Sequence, residues 1–247
     1  MRNVMALLKQ ELVFSLRNYV SAFFSIIFPV LMLVLFGSMY GNAPKEVYGG
    51  FGSMDMAVPS YFGISLGVLA LMTLPMTFAE YREKKVLKRY KATPVSPFTL
   101  LFSNFIVNVI IYIFSLILLV ICGLLFYKVK FHGEILHITI AVAISVLSIF
   151  SMGILIAALA KNAKAASAIG NLIYFPMLFL SGASFPYEML PKGVQNFSNI
   201  FPLTHSVKII KGVWFGDSVF DYKPQILILL GVAVVSFSLS VKFFKYE

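Results

Sequence analysis

The sequence predicts an all-α membrane protein with six transmembrane helices, and three observations carry that prediction. The first is composition. Mean hydropathy is +0.90, and 60% of the residues are apolar while 12% are charged, about half the charge of a soluble domain. The second is the spacing of the charges, which leaves uncharged stretches at 18–44, 56–79, 92–127, 135–160, 165–187 and 224–241. Each has room for the roughly 20 residues that cross a bilayer core as a helix. The third is the distribution of charge between the stretches. With the N-terminus cytoplasmic, thirteen basic residues and four acidic ones fall inside, against seven and six outside. Loops rich in Lys and Arg stay in the cytoplasm, so both termini are expected there. The net charge of +10 is then topogenic, and nucleic acid is excluded as a partner.

Taken in order, residues 3–18, "NVMALLKQELVFSLRN", come first. Val4, Met5, Leu8, Leu12, Leu16 and Tyr19 share one arc at helical period, with Gln10, Glu11, Arg17 and Asn18 opposite. Such a helix is expected to lie in the membrane interface. The first span, 19–39, exceeds the length of a signal-peptide apolar region and has no small-x-small site behind it. The Gly-rich segment Gly41–Met56 reads as a mobile outer loop. A second span at 58–79 runs into "EYREKKVLKRYKATPVSP", eight charges within Glu80–Lys91. There Glu80 precedes Lys84 by four residues, a favourable helical pair; Val86, Leu87 and Tyr90 share an apolar face, and Pro94 is a helix stop. Spans three and four, 97–127 and 136–160, follow, and "KNAK" at 161–164 makes a tight hairpin to span five, 165–184. Residues 185–215 are too apolar for a solvated loop. Pro186, Pro191 and Pro202 divide them into two short amphipathic helices expected to dip into the outer leaflet. Span six is 224–241.

Several chemistries lack their residues. The three histidines, at 132, 137 and 205, form no His-Glu-x-x-His pattern, and Ser181–Ser184 with His205 lack a nucleophile motif. Cys122 stands alone, so no disulfide or cysteine metal site is expected. The six spans contain no Asp, Glu, Lys or Arg, which leaves poor means of coupling to an ion gradient. Asn104 and Asn108 on one face of span three, and Asn171 with Ser167 in span five, either bond between helices or line a pathway. Ala166 with Gly170, and Gly153 with Ala157, are small residues spaced for close helix approach.

Three motifs give the chain a family resemblance. "Glu-Leu … Arg-Asn" is Glu11-Leu12 and Arg17-Asn18. An acidic pair, a basic cluster and "TPVS" are Glu80, Glu83, the run to Lys91 and Thr93–Ser96. In the outer segment, Phe185-Pro186, Leu190-Pro191 and Pro202-Leu203-Thr204 precede the last span. In this order, over the whole chain, they resemble the permease subunits of ABC-2 type exporters. Two positions depart: Phe201 stands where the family often has Asn, and Lys211 where it often has Arg.

The resemblance implies an elbow helix at 3–18 and a coupling loop at 80–96 that docks on a separate ATPase. Glu80, Tyr81, Arg82, Glu83, Lys85, Val86, Leu87 and Tyr90, with Glu11 and Arg17 of the elbow, are the implied contacts. Pro186, Pro191, Phe201, Pro202, Thr204, His205 and Lys211 are implied outer-gate residues. The implied function is ATP-driven export of an amphipathic drug, antibiotic or peptide, or else of a lipid-linked glycan. The chain itself is expected to bind no cofactor. No phosphate-binding Gly-x-x-x-x-Gly-Lys-[Ser/Thr] run occurs, so ATP and Mg are expected in two copies of the ATPase, with this subunit paired to itself or to a paralogue in a bacterial cytoplasmic membrane. A non-transport sensor or scaffold, docking a partner or anionic lipid through the basic loop, is the competing reading.

Overall fold

The computed structural model describes residues 2–86, 97–184, 187 and 190–243. Among these residues the chain is helical, with no strand and only an isolated bridge from Pro44 to Gly52. Helix α1, Arg2–Arg17, precedes α2, Tyr19–Tyr40, and α3, Ser53–Glu83. Then follow α4, Pro97–Tyr127; α5, Ile135–Leu159; α6, Ala163–Leu180; α7, Lys192–Ser198; α8, Pro202–Trp214; and α9, Lys223–Phe243. Six of them, α2 to α6 and α9, are long and apolar enough to cross a membrane.

Helix α3 is the hub. Of its most apolar stretch 89% of residues are buried, against 17–50% in the other five. Its first half is rich in small residues, and its centre, Val68–Thr73, opens into a wide π turn. Two neighbours exploit that opening. A Cβ on Gly153 of α5 would collide with the Ala70 carbonyl, and one on Gly170 of α6 with the Leu71 carbonyl. Both expected small-residue stripes therefore press on consecutive residues of one helix. Burial of apolar area gives little drive between helices in lipid, so such backbone approach and the polar contacts around it hold the bundle together.

Helix α2 has its own π turn at Phe23–Ile27. There the Ser25 carbonyl accepts hydrogen bonds from the hydroxyls of Ser65 (2.7 Å) and Ser115 (2.6 Å), which lie 2.9 Å apart. A carbonyl released by the irregular turn is thus satisfied from α3 and α4, as a site far from water requires. Around the hub, α9 lies along α5, α8 packs on α5, α3 and α9, and α1 packs on α4.

Three expectations change. The first two concern the ends of α3, which begins at Ser53 and ends at Glu83, beyond the expected 58–79. Its early start shortens the expected outer loop to residues 41–52 and ties it down at its ends: Asn42 Oδ1 accepts from the backbone N–H of Met54 (2.9 Å) and Asp55 (3.1 Å), and its Nδ2 donates to Asp55 (3.1 Å) and to the Tyr127 carbonyl (3.0 Å). Asp55, 6% exposed, also accepts from the backbone N–H of Gly52 (2.9 Å) and Lys130 (3.0 Å). Its late end changes the charged segment. Glu80–Glu83 form the last turn of α3, and Lys85 takes a left-handed φ of 54°, so the expected continuous helix Glu80–Lys91 is broken there. The third is α8, expected at the outer leaflet as an amphipathic helix with one face open. Eleven of its thirteen residues are buried within the protein.

Candidate functional site

Consecutive residues of an α-helix point about 100° apart. The last turn of α3 uses that geometry to reach three neighbours with three successive side chains. The Tyr81 hydroxyl donates to the carboxylate of Glu11 on α1, 2.6 Å from both oxygens. Asn104 of α4 donates to the same carboxylate through Nδ2 at 2.8 Å, and Asn108 donates to Asn104 Oδ1 at 3.0 Å and to the Asn104 carbonyl at 2.9 Å. Glu11 is 4% exposed and Asn104 and Asn108 still less. An ionised group this deep is tolerable only when hydrogen-bonded; here two donors from two helices serve it.

Arg82 turns the other way. Its Nη2 donates to the carbonyls of Ala157 (2.7 Å) and Ala160 (2.6 Å) at the C-terminal end of α5. Glu83 accepts from the backbone N–H of Ala163, the first residue of α6, at 3.2 Å. A cation thus meets the negative end of one helix dipole and an anion the positive end of the next. The tight α5–α6 connection is thereby tied to α3, and α1 and α4 are tied to it one residue earlier. Glu80, partly buried, pairs with Lys84 at 2.7 Å, as its spacing suggested. Val86 packs on the hydrophobic core. Arg17 ends α1, exposed. Leu87 and Tyr90, the rest of the expected apolar face, lie outside the described residues, as do the basic run from Lys88 and the "TPVS" motif.

A family model described as "ABC-2 type transporter" matches residues 2–215. The chain belongs to the ABC-2 type transporter family. Inner membrane transport permease YhhJ of Escherichia coli K12 is 25% identical over 201 residues, covering 76% of this chain and 52% of that protein. Nodulation protein J of Rhizobium meliloti is 34% identical over 107 residues, 43% of this chain and 41% of that protein. The probable multidrug ABC transporter permease YbhR of Escherichia coli K12 is 24% identical over 165 residues, 66% of this chain and 45% of that protein. The chain thus spans about half the length of the curated relatives it matches. Family and spans together make it a multi-pass protein of the plasma membrane.

In this ABC-2 protein the second group of expected residues gathers at the opposite end of the bundle. Pro191 precedes α7 and Phe201 precedes α8, where Pro202 occupies the first helical position, the place a missing N–H costs nothing. The Phe197 and Phe201 rings meet edge to face, 5.6 Å apart. Thr204 donates to the Ser198 carbonyl at 2.7 Å, and His205 Nε2 lies 2.8 Å from the Asn199 carbonyl, which fixes Nε2 as the donor. Lys208 donates to Asn199 Oδ1 (2.7 Å) and the Tyr187 hydroxyl (3.1 Å). The orphan carbonyls that end α7 are thus satisfied by the first turns of α8. Burial holds the His205 pKa below its usual value, against the raising effect of the Asn199 carbonyl, and the charge of Lys208 lowers it further. Lys211 is buried on the same helix. Pro186 lies outside the described residues.

The asparagines separate. Asn104 and Asn108 belong to the Glu11 network, whereas among the described residues Asn171 of α6 reaches only Ser167, at 3.5 Å. The hydroxyl cluster at Ser25 and the Asn42–Asp55 knot were not anticipated. Serines scattered among apolar residues carry no periodic signal, though Asp55 three residues beyond Gly52 fits the N3 position of a helix start.

Proposed function

We propose that this chain is the permease subunit of an ATP-driven exporter in a bacterial cytoplasmic membrane. It works as a dimer with two copies of a separate ATPase and moves an amphipathic or hydrophobic substrate, such as a drug, antibiotic or peptide, outward. ATP and Mg belong to the ATPase, and the two termini and the end of α3 face the cytoplasm. The observation that carries this reading is the three-way clamp at Tyr81, Arg82 and Glu83. It stands where α3 leaves the bundle for the charged segment, so a displacement of that segment reaches α1, α4, α5 and α6 through bonds of 2.6–3.2 Å. The permease names of two relatives support the transport role, and the multidrug name of one supports the cargo class.

Export and ATP hydrolysis measured together test the reading. The permease, co-expressed with a candidate ABC ATPase subunit from the same genome, is expected to co-purify with it and stimulate its activity. Arg82→Ala is expected to lower export about tenfold, as loss of a charge-assisted pair of bonds implies, while ATP hydrolysis persists. Failure of any ATPase to co-purify, or wild-type export from Arg82→Ala, overturns it.

A further inference from the structure

Between α4 and α5, residues 128–132 read Lys-Val-Lys-Phe-His, polar side chains alternating with apolar ones. The fold sorts them accordingly. Val129 is buried in the core, and the Phe131 ring meets the Trp214 ring edge to face at 4.9 Å. Lys128, Lys130 and His132 are exposed, and all three line one cavity of about 480 Å³ at the end of the bundle opposite the clamp. That volume lies within the usual range for ligand pockets, roughly 300–1,000 Å³. The segment is bolted in place through its backbone. Asp55 accepts from the Lys130 N–H at 3.0 Å, the Lys130 carbonyl accepts from Trp214 Nε1 at 3.1 Å, and the His132 N–H donates to the Trp214 carbonyl at 3.1 Å. A Cβ on Gly133 would collide with the Val213 carbonyl. Among the described residues neither lysine makes an ion pair. Asp55 also lines the cavity, but its two oxygens are already taken by N–H donors from Asn42, Gly52 and Lys130. Glu46 and Glu134, close in sequence, lie outside the lining. A second wall is apolar. Leu124, Leu125 and Phe126, the last turn of the α4 span, are exposed on the bundle surface, and Phe126 reaches the cavity.

We infer that this cavity holds the phosphate head group of an anionic phospholipid from the leaflet at this end of the bundle. The phosphate sits between the Lys128 and Lys130 ammonium groups, His132 donates to it from a ring nitrogen, and the acyl chains run along Leu125 and Phe126. Lysines at a membrane surface attract anionic head groups, and an ammonium, as a point charge, bonds a phosphate from whatever direction it enters. The two walls together select the occupant. A free anion gains nothing from the exposed apolar turn, and a zwitterionic lipid brings its own ammonium against the lysines. Lysines that only carry the end of a span into water need neither a cavity nor a backbone fixed to α3 and α8. Such binding does not depend on the transport reading.

Native mass spectrometry of the full chain, titrated with lipid in detergent, tests the site. Dioleoylphosphatidylglycerol is expected to bind saturably and about tenfold more tightly than dioleoylphosphatidylcholine, the factor for a hydrogen bond to a charged group. The double variant Lys128→Ala/Lys130→Ala is expected to lose that tenfold preference, and Lys128→Arg/Lys130→Arg to retain most of it. Lys161→Ala/Lys164→Ala removes the same charge at the other end of the bundle and should leave the preference unchanged. Glycerol 3-phosphate at the concentration of the lipid is expected not to displace it, since it lacks the acyl chains. Gel filtration confirms that each variant is folded. Equal binding of the two lipids, an unchanged preference in folded Lys128→Ala/Lys130→Ala, an equal loss in Lys161→Ala/Lys164→Ala, or displacement by glycerol 3-phosphate overturns the proposal.

Discussion

Glu11 carries its charge into the bundle from a helix outside the spans. Its carboxylate is bonded by Tyr81 and Asn104, so removing either partner leaves a buried charge under-satisfied. Tyr81→Phe is expected to cost about 2 kcal/mol, within the range for a hydrogen bond to a charged group. Adding Tyr81→Phe to a Glu11→Gln background should cost less than Tyr81→Phe alone, because the charged acceptor is already gone. A double-mutant cycle on thermal midpoints in detergent measures this. Additive effects would show that the two residues act separately. His205 gives a second expectation at this scale. Burial depresses its folded pKa, and protonation would place a proton on the buried Nδ1, which has no partner among the described residues. The unfolded chain then binds the proton more readily. The stability His205 contributes is present above its ordinary pKa of about 6.5 and is lost as pH falls below that value toward the folded pKa. Thermal midpoints of His205→Gln are expected to be flatter than wild type across that window. Identical slopes would remove His205 as their source.

Helix α3 owes its place in the bundle to its neighbours' missing side chains. Gly153 and Gly170 touch the carbonyls of Ala70 and Leu71, and any β-carbon there forces the helices apart. Gly153→Val is expected to destabilise the protein by about 1–3 kcal/mol, the usual cost of overpacking. Gly231→Val on α9, where an added Cβ meets nothing within 4 Å, is the control and should stay within about 0.5 kcal/mol. Unfolding in detergent compares the two, and equal losses would refute the packing account. The π turns at Phe23–Ile27 and Val68–Thr73 belong to the same scale. Their effects are visible only across helices, where Ser65 and Ser115 meet the Ser25 carbonyl.

At the scale of the whole molecule, the bundle has two differently built ends. One ties α1, α3, α4, α5 and α6 together with charges matched to helix termini; the other closes Asn42, Asp55, Tyr127 and Lys130 into a knot and seats α8 in the core. The proposed topology puts the first end in the cytoplasm. Cysteine placed at Lys161, in the exposed α5–α6 connection, with Cys122 replaced by Ser, is expected to react with an impermeant maleimide only after cells are opened. Reaction in intact cells would invert the topology.

The sequence by itself determined the class, the number of spans and most of their limits. Those follow from runs of apolar residues and from the charges between them, properties that each stretch carries alone. Asn104 and Asn108 stood out as costly polar residues within an apolar run, whereas Glu11, Tyr81, Arg82 and Glu83 were marked by the family resemblance of their motifs. Only the tertiary structure decided whom they meet. The one-dimensional pattern set Glu11 on the solvent side of α1, yet its face turns inward once Tyr81 and Asn104 offer donors. It set α8 at the outer leaflet, and only the packing shows that α3, α5 and α9 cover it there. It read Glu80–Lys91 as one helix, yet the chain turns at Lys85 after Tyr81, Arg82 and Glu83 have fanned toward three neighbours. Periodicity tells which side chains share a face, and the partner of that face is fixed only when the helices pack.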